Sequence, residues 1–184
     1  MSAPELRYAV IGMGGIAQLH LTQIASQPGV KVVGFADVTD SKTWRVPEAH
    51  AAAPRFQDAE KMVKETRPDL VSICTPNKFH HPFTLLALKH GAHVACEKPL
   101  AMTVAEAEEM EAARAAAGRL GNINFSYRNV ASFRFARELI AAGDLGRLTR
   151  VNTVYLQSFL GAPATPYSWR NDVTLAGFGA LGDL

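Results

Sequence analysis

Three short stretches carry residue types at spacings that chemistry requires. The first is Gly12-x-Gly14-x-x-Ala17, which follows the apolar run Tyr8-Ala9-Val10-Ile11. Gly12 permits a tight turn out of a strand, Gly14 lets backbone approach a pyrophosphate, and Ala17 lets a helix pack close to the strand. Gly15 and Ile16 open that helix, whose unpaired N–H groups and partial positive charge suit phosphate. A second apolar run, residues 31–36, ends in Asp37, 20 residues past Ala17. An acid there can accept hydrogen bonds from ribose hydroxyls; its plainer role is to cap the next segment. Beside the glycines it reads as part of a dinucleotide site. Such a carboxylate accepts from both ribose hydroxyls and repels a 2′-phosphate, so NAD is expected, while Lys42 and Arg45 keep NADP open.

The other two stretches are Thr75-Pro76-Asn77-x-x-His80 and Glu97-Lys98-Pro99, each directly after an apolar run. In open α/β sheets ligands bind outside the carboxyl ends of the strands, so the three stretches are expected to line one crevice. Thr75, Asn77 and His80 would then lie beside the cofactor and Lys98 near its reactive end. Lys98, fixed between Glu97 and Pro99, is placed to polarise a hydroxyl or a carbonyl, with Glu97 orienting the ammonium. His80 and His81 read equally well as one capping and one solvated histidine. His20, His50, His90 and His93 are given structural roles. No His/Cys/Asp cluster has metal spacing, and neither a Gly-x-Ser-x-Gly elbow nor a P-loop is present.

The elements needed to position these residues are legible. Strands are expected at residues 6–11, 31–36, 70–74, 93–96 and 121–125, with helices at 15–26, 58–66, 82–89 and 132–142. Residues 48–53 could also be helical. Thr103-x-x-Glu106 is a capping box that opens an Ala-rich helix stopping at Gly118. Strands alternating with helices specify a doubly wound parallel α/β sheet of the Rossmann type over residues 1–126. In the 132–142 helix Phe133, Ala136, Leu139 and Ile140 are expected to point inward. Residues 148–160 read as the first strand of a second, mainly antiparallel sheet, so residues 127–184 are expected to begin another α/β domain. That domain cannot bury its own face, and the closing Gly-rich apolar run suggests that the chain continues.

The bulk numbers fit this reading. The chain has 184 residues, 48% hydrophobic and 20% charged, with a formal charge of +2. Without a basic run, nucleic acid is not an expected partner. Cys74 and Cys96 lie in apolar runs and read as buried thiols, which fits a reducing cytoplasm. No signal peptide and no spanning apolar stretch is evident, so a membrane is not expected.

The motifs together, with Tyr127-Arg128, Trp169-Arg170 and Gly177-x-Gly179-Ala180-Leu181-x-Asp183, resemble the glucose–fructose oxidoreductase / inositol dehydrogenase / MocA family over essentially the whole chain. Glu-Lys-Pro after a Rossmann strand is the most specific element. The resemblance implies an oxidoreductase with an NAD- or NADP-binding domain and a C-terminal domain forming the substrate wall and a homo-oligomer interface. It implies sugars, inositols and related polyols as substrates, Lys98 as the catalytic lysine and Asp183 as the aspartate of an Asp-x-x-x-His motif. That motif's histidine would fall four residues beyond Asp183, outside this sequence. It also places Arg128, Trp169 and Arg170 near cofactor and substrate; the plainer role for Trp169 is to pack the domain junction. The competing expectation is a non-catalytic nucleotide-binding or sensing module.

Overall fold

The computed structural model describes residues 5–158 and 161–179. Six strands, β1 (Leu6–Ile11), β2 (Val30–Ala36), β3 (Arg55–Phe56), β4 (Leu70–Ile73), β5 (His93–Cys96) and β6 (Gly121–Ile123), form one sheet in the order β3-β2-β1-β4-β5-β6. Every pairing is parallel. The strand order reverses between β1 and β4, and a doubly wound sheet opens its ligand crevice at that point. Helices α1 (Gly15–Ala25), α2 (Ala59–Thr66), α3 (His80–Lys89) and α4 (Val104–Ala117) make the crossovers. The two-residue β3 is an element that the apolar pattern does not reveal.

Side chains alternate across β1 and split the core in two. Ala9 and Ile11 join Met62 and Val63 of α2 and Ala87 and Leu88 of α3 on one face. Tyr8 and Val10 join Ala17 and Leu21 of α1 on the other, with Phe35 and Trp44. Both faces of the central strands are covered, which is why they read as unbroken apolar runs. The capping box forms as expected: the Thr103 hydroxyl accepts from the Glu106 N–H at 3.2 Å, and the Glu106 carboxylate accepts from the Thr103 N–H at 3.1 Å.

Leu19 of α1 is 55% exposed; the buried stripe runs through Ala17 and Leu21. Two expectations are corrected. Helix α5 (Ala131–Ala142) forms, but Phe133 and Phe135 are each about 60% exposed and Ile140 nearly half exposed, so its apolar face is not inward. Periodicity announces an apolar face and says nothing of where its partner lies. Residues 148–158 contain no strand, and Val151, Val154 and Leu156 are exposed. A strand needs a ladder partner, and none stands beside this segment among the described residues; Phe159 and Leu160 lie outside them. No helix among the described residues is long and apolar enough to cross a membrane.

Gly12 is the tightest point of the fold. Its φ is +91°, and a Cβ there would lie 2.7 Å from the carbonyl carbon and oxygen of Cys74 and 2.8 Å from the Thr75 nitrogen. Backbone flanks it on the β4 side and cannot swing aside as a long side chain would. Gly12→Ala is therefore expected to destabilise the chain by about 2 kcal/mol or more, from left-handed strain plus the clash. Urea unfolding followed by circular dichroism measures this, and an unchanged midpoint would contradict the geometry.

Candidate active site

The fingerprint turn joins β1 to α1. Gly14 is the N-cap residue of α1, in extended conformation, and the first turn of α1 carries no acidic side chain. A Cβ built on Gly14 or on Gly15 meets nothing within 4 Å, so both glycines face open space, unlike Gly12. Ala17 is fully buried against the sheet, and Ile16 packs at the edge of its cluster. Open space, a helix start with no side-chain cap and a first turn without acidic side chains suit a pyrophosphate. The residues present fit a dinucleotide here.

Asp37 follows β2 on the same edge. Its Oδ2 accepts from the Met13 N–H at 2.6 Å, which ties the glycine turn to the end of β2. Its Oδ1 accepts from the N–H and the hydroxyl of Thr39, each at 2.8 Å. A carboxylate offers about four acceptor positions, so three are already taken. The remaining capacity lies on Oδ2.

The Thr75-Pro76-Asn77 turn follows β4. Thr75 Oγ1 and Asn77 Oδ1 are buried with no hydrogen-bond partner among the described residues. Such orphaned polar atoms are uncommon, and at the mouth of a crevice they are candidates to meet a ligand. The amide nitrogen of Asn77 donates to the Ala176 carbonyl at 2.8 Å. That bond docks the short helix α6 (Val173–Ala176) and brings the Gly177-x-Gly179 segment to the crevice; Asp183 lies outside the described residues. His80 is fully buried, with Nδ1 2.7 Å from the Pro99 carbonyl and Nε2 3.0 Å from that of Thr75. Burial holds its ring below the usual imidazole range despite these two acceptors. A neutral ring carries one N–H and can donate to only one of these carbonyls; His80 sits buried between the turns after β4 and β5. His81 pairs with Glu109 at 2.8 Å.

Around Glu97-Lys98-Pro99 the structure shows a cluster that sequence reading missed. The buried Glu97 carboxylate takes the His20 Nε2 at 2.8 Å and the Asn124 amide nitrogen at 2.6 Å, both on Oε1. The Lys98 N–H approaches Oε2 at 3.4 Å. His20 Nδ1 lies 2.8 Å from Ser72 Oγ, which in turn faces the Ala95 carbonyl at 3.4 Å. Each proton of a doubly protonated His20 thus has an acceptor. The Cys74 sulfur at 3.8 Å and the Glu97 carboxylate push His20 up to about 10, overcoming burial. Of the two the carboxylate at 2.8 Å is the stronger influence, because charge acts at shorter range there. For Glu97, burial alone would raise the carboxyl; the bonds from His20 and Asn124 outweigh it and hold it below the usual range. His20 was readable in one respect: it lies three residues after Ala17, on the sheet-facing side of α1.

Lys98 and Glu97 open onto a cavity of about 1070 Å³, which Tyr127, Arg128, Gln157 and Arg170 also line. The Arg170 guanidinium sits 4.4 Å over the Trp169 ring, and the Tyr127 and Tyr155 hydroxyls are 2.9 Å apart. The structure thus brings Lys98, Arg128 and Arg170 to one cavity, with Trp169 behind Arg170. Asp37 and the glycine turn lie on the carboxyl edge of β1 and β2.

A parallel sheet ordered 3-2-1-4-5-6 with this glycine turn is a nucleotide-binding Rossmann domain. Residues 6–125 match the family GFO_IDH_MocA, described as an oxidoreductase family with an NAD-binding Rossmann fold, and the chain belongs to it. It is 34% identical to D-glucoside 3-dehydrogenase of Escherichia coli (strain K12) over 149 residues, 80% of this chain and 42% of that protein. It is 35% identical to levoglucosan dehydrogenase of Pseudarthrobacter phenanthrenivorans over 197 residues, 98% of this chain and 48% of the relative. The crystal structure of scyllo-inositol dehydrogenase from Lactobacillus casei with bound NAD(H) and scyllo-inositol aligns with a TM-score of 0.71 at 27% identity. That alignment covers 79% of this chain and 43% of the other. The chain spans about half the length of the curated relatives it matches.

Two outcomes follow from the geometry. Gly14→Val, unlike Gly12→Ala, should leave the unfolding midpoint unchanged while cutting NADH affinity at least tenfold; undiminished affinity would show that the open cradle holds no pyrophosphate. The His20 ring should stay protonated from pH 6 to 8.5, so its NMR ring-carbon shifts should not titrate there. Because its folded pKa is raised, the stability it contributes is complete below about 6.5 and is lost as pH climbs to about 10. His20→Gln should flatten that part of the stability profile, and a His20 midpoint near 6.5 would refute the pairing.

Proposed function

We propose that the chain carries the cofactor-binding part of an NAD-dependent dehydrogenase acting on a CH–OH group of a sugar, an inositol or a related polyol. Residues 1–126 form the dinucleotide-binding domain in this reading, and 127–184 begin the domain that walls the substrate and carries the oligomer interface. The observation that carries it is the convergence of the Gly12-to-Ala17 turn, Asp37 and the Lys98 turn on one edge of the sheet, flanking the crossover between β1 and β4. The named activities of the relatives support the substrate class. The 1070 Å³ cavity beside Lys98 offers room for a pyranose-sized ligand.

NAD, when bound, supplies a nicotinamide ring that takes a hydride from the alcohol carbon. Gly14, Gly15 and the start of α1 hold the pyrophosphate, and Asp37 holds a ribose hydroxyl. The Thr75-Pro76-Asn77 turn borders the cofactor's path. The Lys98 ammonium hydrogen-bonds the substrate oxygen and stabilises the alkoxide that develops as its proton leaves. Asp183 orients the base that receives this proton. The His20–Glu97–Asn124 cluster fixes the strand end from which Lys98 projects. Arg128 and Arg170 supply positive charge to the wall of the same cavity.

Fluorescence titration of the folded chain with NADH tests the cofactor reading; saturable binding is expected, and none would overturn it. Lys98→Met in the full-length protein, assayed by NAD⁺ reduction against inositols and pyranoses, should lower kcat roughly a hundredfold or more, the usual scale for a positioned charge-stabilising group. Turnover near the wild-type level would remove Lys98 from the mechanism. An intact site that binds NADH but reduces NAD⁺ with no polyol would favour the sensing module.

A further inference from the structure

The partners of Asp37 carry a further step, which rests on the NAD reading above. The indole N–H of Trp44 donates to Thr39 Oγ1 at 2.9 Å, and the Thr39 hydroxyl lies 2.8 Å from Asp37 Oδ1. An indole can only donate, so the hydroxyl accepts from Trp44 and sends its own proton to the carboxylate. The direction of the relay is therefore fixed by chemistry. Trp44 is 6% exposed and packs with Phe35 and Val32 of β2 in the α1-side core, so the relay begins from a rigid base. The Thr39 N–H reaches Oδ1 and the Met13 N–H reaches Oδ2.

Asp37 itself stands on a loop, next to Val38 at 86% exposure and Thr39, which is also exposed. Loop aspartates change rotamer readily when one staggered well is not selected by neighbours. Here the clamp selects one well and leaves acceptor capacity on Oδ2. We propose that Thr39 and Trp44 determine cofactor specificity by locking the Asp37 carboxylate in place, so that it accepts a ribose hydroxyl through Oδ2 and keeps its charge against any 2′-phosphate. Without the Thr39 hydroxyl the carboxylate keeps the Met13 and Thr39 N–H donors but loses the bond that fixes its rotation, so NADH meets a less ordered acceptor and a 2′-phosphate a less fixed negative charge. A role confined to folding would weaken both dinucleotides alike, whereas this role changes their ratio.

The test is a set of fluorescence titrations with NADH and with NADPH on the wild-type chain, Thr39→Val, Thr39→Ser, Trp44→Phe and Asp37→Ala, each verified as folded by circular dichroism. The wild type should prefer NADH. Thr39→Val, which removes a hydrogen bond to the carboxylate, should reduce that preference about fivefold or more, and Trp44→Phe, which frees the Thr39 hydroxyl, should reduce it more than about twofold. Thr39→Ser, which retains the hydroxyl, should keep it. If Asp37→Ala abolishes the preference while Thr39→Val and Trp44→Phe leave it within twofold of wild type, the clamp is overturned and the ribose reading stands. If Asp37→Ala leaves the preference unchanged, or the wild type binds neither dinucleotide or prefers NADPH, both are overturned together.

Discussion

The structure depends on how closely the end of β1 approaches the end of β4. The Cys74 N–H donates to the Ile11 carbonyl at 2.7 Å, and the Gly12 N–H donates to the Ala36 carbonyl at 2.8 Å. Three strands therefore meet through the one peptide group that joins Ile11 to Gly12, and Gly12 has no room for a side chain. The direction of the sheet's growth reverses at that junction, so the chain must leave room above it, and the crevice is the result. Side chains do not build this opening; they furnish it.

Around the opening, polar groups divide into two kinds. Asp37 and Glu97 are carboxylates whose oxygens are mostly spoken for by neighbours: Met13 and Thr39 in one case, His20 and Asn124 in the other. Each is held in place by at least one donor distant in sequence, Met13 for Asp37 and His20 and Asn124 for Glu97, and Asp37 also by its near neighbour Thr39. Burying a carboxylate is costly unless its lone pairs are met, so these partners are needed before any ligand arrives. Thr75 and Asn77 are the opposite kind, with buried oxygen atoms that lack a partner. The site is thus stiff in its charged groups and unsatisfied in two of its neutral ones.

What the sequence showed and what it hid divide along physical lines. Gly12, Gly14, Ala17 and the strand-end position of Lys98 are legible because backbone geometry imposes them within a few residues. The alternation of strands and helices is legible because both faces of the sheet are covered. His20 was not, because its partners Ser72, Glu97 and Asn124 come to it through the register of β4, β5 and β6, which no local pattern encodes. The link from Trp44 through Thr39 to Asp37 is local, but it lies in irregular loop where no period marks which side chains meet. His80 reads as a ligand group because it follows the Asn77 turn, and the structure buries it between the Thr75 and Pro99 carbonyls. Helix α5 showed its apolar face clearly, while the identity of the surface that face requires was never in those twelve residues.

The Asn77–Ala176 hydrogen bond joins groups 99 positions apart in the chain. It pins the later segment to the sheet at the mouth of the crevice, where Gly177 also lies so close to Met102 that a Cβ would come within 2.7 Å of the Met102 side chain. Tyr127, Arg128 and Arg170 come between two tethers, the covalent run out of β6 and this bond, and all three line the cavity beside Lys98. The wall of that cavity is thus fastened to the same turn whose Asn77 oxygen is left without a partner.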